Sequence, residues 1–123
     1  MSDAITRYPT PLPVPFSKAV RAGGFLFLSG VLAMDAQGNI VEGDVQAQTR
    51  VVLERIAATL AECGAGMAQV VRATIWLADL ADFAAFNAEY ARHFAGGLPA
   101  RSCVQAVLYK GAKVEIEVQA LVA

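Results

Sequence analysis

Lys113-Val114-Glu115-Ile116-Glu117-Val118-Gln119-Ala120-Leu121-Val122 decides how the chain is read, because polarity alternates along it almost residue by residue. A β-strand points successive side chains to opposite faces. Val114, Ile116, Val118, Ala120 and Val122 therefore define an aliphatic face, and Lys113, Glu115, Glu117 and Gln119 a polar one. Upstream, the strand that begins in Pro99-Ala100-Arg101-Ser102-Cys103 sets Val104, Ala106 and Leu108 against Arg101, Cys103 and Gln105, and a Lys110-Gly111 turn separates the two. Paired as a hairpin with both aliphatic sets inward, the strands gather Arg101, Cys103, Glu115 and Glu117 on one polar face. That register sets Glu115 near Gln105, roughly 13 Å of backbone from Arg101. The expectation is a pocket longer than one residue pair, or one completed by an adjacent subunit.

Working back from that pair, Val70 to Leu77 is rich in β-branched and aromatic residues and predicts a buried strand. Two helices flank it. The first runs from Val45 to about Cys63, with Asp44 as N-cap, a stripe of Val45, Thr49, Val52, Ile56 and Leu60, and Gly64 as stop. The second runs from about Asp82 to Phe94, with Phe83, Phe86, Tyr90 and Phe94 at helical spacing before Gly96-Gly97. Ser17–Ala22 and Phe25–Ser29 read as a hairpin across Gly23-Gly24, Asp35 to Asn39 as a turn, and Ile40-Val41 as a short edge strand. Pro9, Pro11, Pro13 and Pro15 forbid a helix in the first segment and make residues 1–15 an extended arm. The order of elements predicts an α+β domain over residues 1–123, with both helices on one face of a mixed sheet.

With 56% hydrophobic and 17% charged residues in 123, the chain carries more apolar side chain than a small monomer easily hides, so some of that surface is expected between subunits. Net charge is −1 and the basic residues are scattered, which argues against a nucleic-acid footprint. No run approaches the length of a membrane span, and the start, Met1-Ser2-Asp3-Ala4, lacks the basic region and apolar core of a signal peptide. The expectation is a cytoplasmic protein with no membrane partner, in which Cys63 and Cys103 are reduced and buried.

Arg101 brings a planar cation able to grip a carboxylate with two parallel hydrogen bonds, which suggests a site for a small organic acid. By spacing alone, a solvated charged face is the simpler reading of Glu115 and more so of Glu117. Other chemistries fit less well. His93, the one histidine, stands near a helix end where it is expected to satisfy terminal carbonyls. Without a second histidine there is no zinc pattern, Ser102 and Cys103 lack a nucleophile signature, and neither Gly23-Gly24 nor Gly64-Ala65-Gly66 has phosphate-loop spacing. No cofactor or metal is indicated.

Pro15-Phe16-Ser17-Lys18-Ala19-Val20, Leu28-Ser29-Gly30, Ala47-Gln48-Thr49-Arg50, the Phe83 to Tyr90 run around Asn87, Pro99-Ala100-Arg101-Ser102 and Val114-Glu115-Ile116-Glu117 occur in an order and spacing that resemble the reactive-intermediate deaminase family, the Rid or YjgF-type proteins. The resemblance covers nearly the whole chain. It implies a chorismate-mutase-like fold, a homotrimer with pockets in the clefts between subunits, and hydrolysis of small 2-imino or enamine acids, such as 2-iminopropanoate and 2-iminobutanoate, to 2-oxo acids and ammonia. On it, Arg101 holds the substrate carboxylate and Glu115 positions and activates water. Phe16, Gly30, Asn87 and Cys103 line the pocket. Phe16 stands where the family usually has tyrosine, and Arg55 where it often has asparagine. Gly30-Val31-Leu32-Ala33-Met34-Asp35 and Ala47-Gln48-Thr49-Arg50 lean towards the aminoacrylate deaminase branch of pyrimidine breakdown. A non-catalytic trimer that binds small carboxylates, and the ribonuclease activity of older family descriptions, are the competing expectations.

Overall fold

A computed structural model describes residues 4–122; the first three residues of the expected arm and the last residue of the chain lie outside them. β1 (Thr6–Pro9), β2 (Ser17–Ala22), β3 (Phe25–Leu28), β4 (Val31–Leu32), α1 (Val45–Glu62), β5 (Val70–Leu77), α2 (Phe83–Ala91), β6 (Ala100–Gln105) and β7 (Val114–Leu121) follow in that order. The strands form one sheet in the order β1-β2-β3-β7-β5-β6, with β4 pairing β7 beyond the end of β3. Among the described residues only β5 and β6 run parallel, so the sheet is mixed.

Local chemistry accounts for most boundaries. Gly23 and Gly24 take φ of 57° and 80°, the left-handed pair a tight two-residue hairpin requires. Asp44 Oδ1 accepts from the Ala47 amide at 2.9 Å and starts α1, which ends at Glu62 with Gly64 at φ 79°. α1 buries Val45, Gln48, Thr49, Val52, Leu53, Ile56 and Leu60. They meet the inner face of the sheet, where Leu26, Ala73, Ile75, Leu77, Val114, Ile116 and Ala120 are all fully buried. Buried Gln48 has both ends of its amide engaged: Nε2 donates to Val41 O at 3.1 Å and Oε1 accepts from Lys113 N at 2.9 Å. The entry to β7 is thereby tied to α1.

Several expectations are corrected. The arm is partly a strand, since Thr6 to Pro9 pair with β2. Ile40 makes only an isolated bridge to Met34, and α2 starts at Phe83 after a short 3-10 turn and ends at Ala91 rather than Phe94. His93 does not cap carbonyls; its Nε2 lies 2.8 Å from Glu89 Oε2, within a cluster where Arg50 and Arg92 also reach the buried Glu89. Cys63 is free and buried, but Cys103, also free, is only half-buried.

The largest correction is the C-terminal hairpin. β6 does not pair with β7: β5 lies between them, parallel to β6 and antiparallel to β7. A helical crossover returns β6 alongside the strand it left. The link to β7 then passes the end of β5, with Ala106 N donating to Leu77 O and Ala78 N to Lys113 O. Register also reverses the expected faces of β6. Arg101, Cys103 and Gln105 pair with the buried Ala73, Ile75 and Leu77, so they share the helix side, while Val104 is 47% exposed on the open face with Trp76 and Glu115.

Candidate functional site

Arg101 and Glu115 head two separate clusters. Two strand spacings divide β6 from β7, and three residue positions divide the partners Ala73 and Trp76. That places the two residues about 14 Å apart on opposite faces of the sheet.

On the helix side, α2 frames Arg101. Phe83, Phe86, Asn87 and Tyr90 fall at i, i+3, i+4 and i+7, one face of the helix. The guanidinium carbon lies 5.4, 5.5 and 5.0 Å from the ring centroids of Phe83, Phe86 and Tyr90, within cation–π range. Nη2 donates to Asn87 Oδ1 at 2.7 Å. Asn87 is therefore first a support for Arg101. No carboxylate pairs with this guanidinium among the described residues, and a shallow pocket at its side is lined by Tyr90, Leu98 and Pro99. Burial pushes the Tyr90 hydroxyl and the Cys103 thiol up, against a smaller opposite pull from Arg101. The thiol stays protonated and is a poor nucleophile.

On the other side, Glu115 pairs in register with Leu32 and Trp76. Gly30 makes room for it: a Cβ there would collide with Glu115 Oε2. Burial, and then repulsion from Glu117, push the Glu115 carboxyl above the ordinary carboxylate range. This is the direction that makes a carboxylate a better base near neutral pH. Gly30 also lines a cleft of 480 Å³ between α1 and the β3–β4 link, together with Phe16, Leu32, Met34, Arg55 and Thr59. Phe16 is 54% exposed on its wall.

The six residues singled out from the sequence thus fall into two halves, Arg101 with Asn87 and Cys103, and Glu115 with Gly30 and Phe16. The helical spacing of Phe83, Phe86 and Tyr90 marks one face of α2 but does not say that this face frames a cation. The available signal was Asn87, a polar residue inside the stripe. Arg55 was noted but given no role. Among the described residues no three His, Cys, Asp or Glu side chains gather as a metal would need, and no helix is long and apolar enough to cross a membrane.

The fold and site define a small α+β protein that presents an arginine, without an acidic partner among the described residues, held by one face of a helix. The chain belongs to the family described as endoribonuclease L-PSP, the YjgF or Rid proteins, whose model matches residues 9–122. It is 41% identical over 120 residues to a RutC family protein of Pyrococcus horikoshii, covering 95% of each chain. It is 45% identical over 105 residues to the chloroplastic Reactive Intermediate Deaminase A of Arabidopsis thaliana, covering 84% of this chain and 56% of that one. A solved structure from Yersinia pestis, described as a Rid-family protein of unknown function, superposes with a TM-score of 0.88 at 36% identity, covering 97% of this chain and 100% of that one.

Proposed function

We propose that the chain hydrolyses small 2-imino acids, and the enamines that tautomerise to them, to 2-oxo acids and ammonia. The observation that carries this is Arg101, fixed by Asn87 and three rings and left without a carboxylate partner among the described residues. A guanidinium so oriented takes the substrate carboxylate through two parallel hydrogen bonds. Glu115, its carboxyl pushed up by burial, takes a proton from water as the water oxygen bonds to the imine carbon and the C=N electron pair moves to nitrogen. Glu115 returns that proton to the nitrogen, giving the neutral carbinolamine, which passes its hydroxyl proton to the same nitrogen and expels ammonia, leaving the C=O bond of the oxo acid. In total one imine and one water give one oxo acid and one ammonia.

One chain does not present both halves to one small molecule, so the proposed site lies between copies in a homotrimer. Apolar side chains exposed on the open face, among them Phe25, Phe27, Val104 and Leu121, support burial of that face between subunits. The test is ammonia release from freshly generated 2-iminopropanoate and 2-iminobutanoate. Acceleration by the protein and its loss in Arg101→Ala are expected; an equally active alanine variant would refute the assignment.

Phe16, which lacks the hydroxyl of the usual tyrosine, favours a second reading, a trimer that binds small carboxylates without catalysis. Calorimetry that detects oxo-acid binding dependent on Arg101, with no acceleration of imine hydrolysis, would select it. Ribonuclease activity has less support, given a net charge of −1 and a single histidine engaged with Glu89.

A further inference from the structure

Arg55 projects from α1 into the cleft that Gly30 and Phe16 also line. One of its N–H groups is committed: Nη1 donates to Leu32 O at 2.6 Å. A guanidinium carries five N–H donors, so most of its capacity is left over. Two acidic residues share the cleft, and both are engaged elsewhere. Glu62 Oε2 accepts from Lys18 Nζ at 2.5 Å, and Asp35 Oδ1 accepts from the Gln37 and Asn39 amides at 2.9 Å each. Among the described residues no carboxylate pairs with Arg55. Burial lowers the affinity of Arg55 for its proton, the direction expected of a half-buried cation.

We propose that Arg55 is a specificity-determining residue: the cleft takes the side chain of the substrate, and Arg55 grips an anionic group at its far end, so that the favoured substrates are imino acids with a second carboxylate. This rests on the deaminase reading only for the place of the imine, beside Gly30 and Glu115. Arg55 is anchored two residues along the chain from Gly30, about 7 Å in extended backbone. In a five-carbon diacid the distal carboxylate carbon lies about 4 Å from carbon 2 when extended, and a hydrogen bond of about 3 Å completes the span. Pro11, Leu12, Val31 and Met34 on the cleft wall suit the intervening methylenes.

The experiment compares two five-carbon oxo acids, 2-oxoglutarate and 2-oxopentanoate, by calorimetry on the full chain. A charge-assisted hydrogen bond in a half-buried site predicts a preference of about ten-fold or more for the diacid. Arg55→Gln should collapse that preference to within about two-fold, and Arg55→Lys, which keeps the charge, should retain part of it. Unchanged thermal melts exclude a folding defect. In parallel, imines generated from glutamate and from norvaline by an amino-acid oxidase should show the same ordering in kcat/KM. Equal binding of the two oxo acids, no binding of either at millimolar concentration, or a preference that survives Arg55→Gln overturns the inference. An Arg55-dependent preference in a protein that hydrolyses no imine keeps the anion site and removes the deaminase reading.

Discussion

Replacing Gly30 by alanine isolates the role of Glu115. Gly30 is not among the glycines at positive φ, so the backbone accepts an L side chain there. The obstacle is the carboxylate: an added Cβ collides with Glu115 Oε2 and stands 3.1 Å from Cδ. To reach ordinary contact the carboxylate must retreat by about 1 Å or more. Because it is the far end of a flexible side chain, the shift costs about 0.5 to 1.5 kcal/mol, the scale of an off-rotamer torsion. That lowers Tm by only a few degrees, about 4 to 8 °C per kcal/mol in a domain of around 100 residues and somewhat less here. Catalysis is far more sensitive, since a misplacement of about 1 Å costs on the order of 100-fold. Gly30→Ala should therefore stay folded while kcat and kcat/KM for imine hydrolysis fall together by about two orders of magnitude, the pattern of an interaction made only in the transition state. Steady-state ammonia release and a thermal melt on the same preparation read both quantities. Full activity in a variant whose structure shows a displaced Glu115 would refute the assignment of that carboxylate as the base.

Glu115→Gln should abolish the acceleration, by about 10² to 10⁴-fold, yet raise thermal stability above neutral pH. The folded protein keeps the Glu115 proton to higher pH than the unfolded chain does, so stability on its account is lost as pH rises through the raised value. A Tm difference that does not vary between pH 4 and pH 8 would contradict that linkage. Glu89 behaves oppositely: the His93 hydrogen bond and then, against the effect of burial, the Arg50 hydrogen bond and the positive charges of Arg50 and Arg92 hold its carboxyl low. Its contribution is present above the unfolded carboxylate range and lost as pH falls through the folded value. Glu89→Gln should cost about 1 to 2 kcal/mol in urea unfolding at neutral pH and much less near pH 3, the arginine partners being largely solvated; an equal cost at both would show that the hydrogen bonds, not the charge, matter. Val104→Asp puts a charge on the open face, and size-exclusion chromatography should show dissociated chains without imine hydrolysis, whereas an intact, active assembly would exclude this face from the interface.

Elements governed by neighbours in the chain were legible before any coordinates. Asp44 and Gly64 bracket α1 within a residue, Gly23-Gly24 turns the β2–β3 hairpin, and β5 runs from Val70 to Leu77 as its composition indicates. The motifs around Arg101 and Glu115 likewise carried the family. Alternation says which residues share a face of one strand; it does not say which strand lies alongside. The hairpin expected of β6 and β7 failed on that point, because the pairing of β6 is settled by the α2 crossover and by β5 having two edges to satisfy, and both are properties of the assembled sheet. Once β5 stands between them, Arg101 turns under the helices and Glu115 to the open face. Residue chemistry together with the family motifs could name the two groups of the proposed site, and only the tertiary structure could decide that one chain holds them apart, since long-range pairing, not local pattern, sets the distance between them.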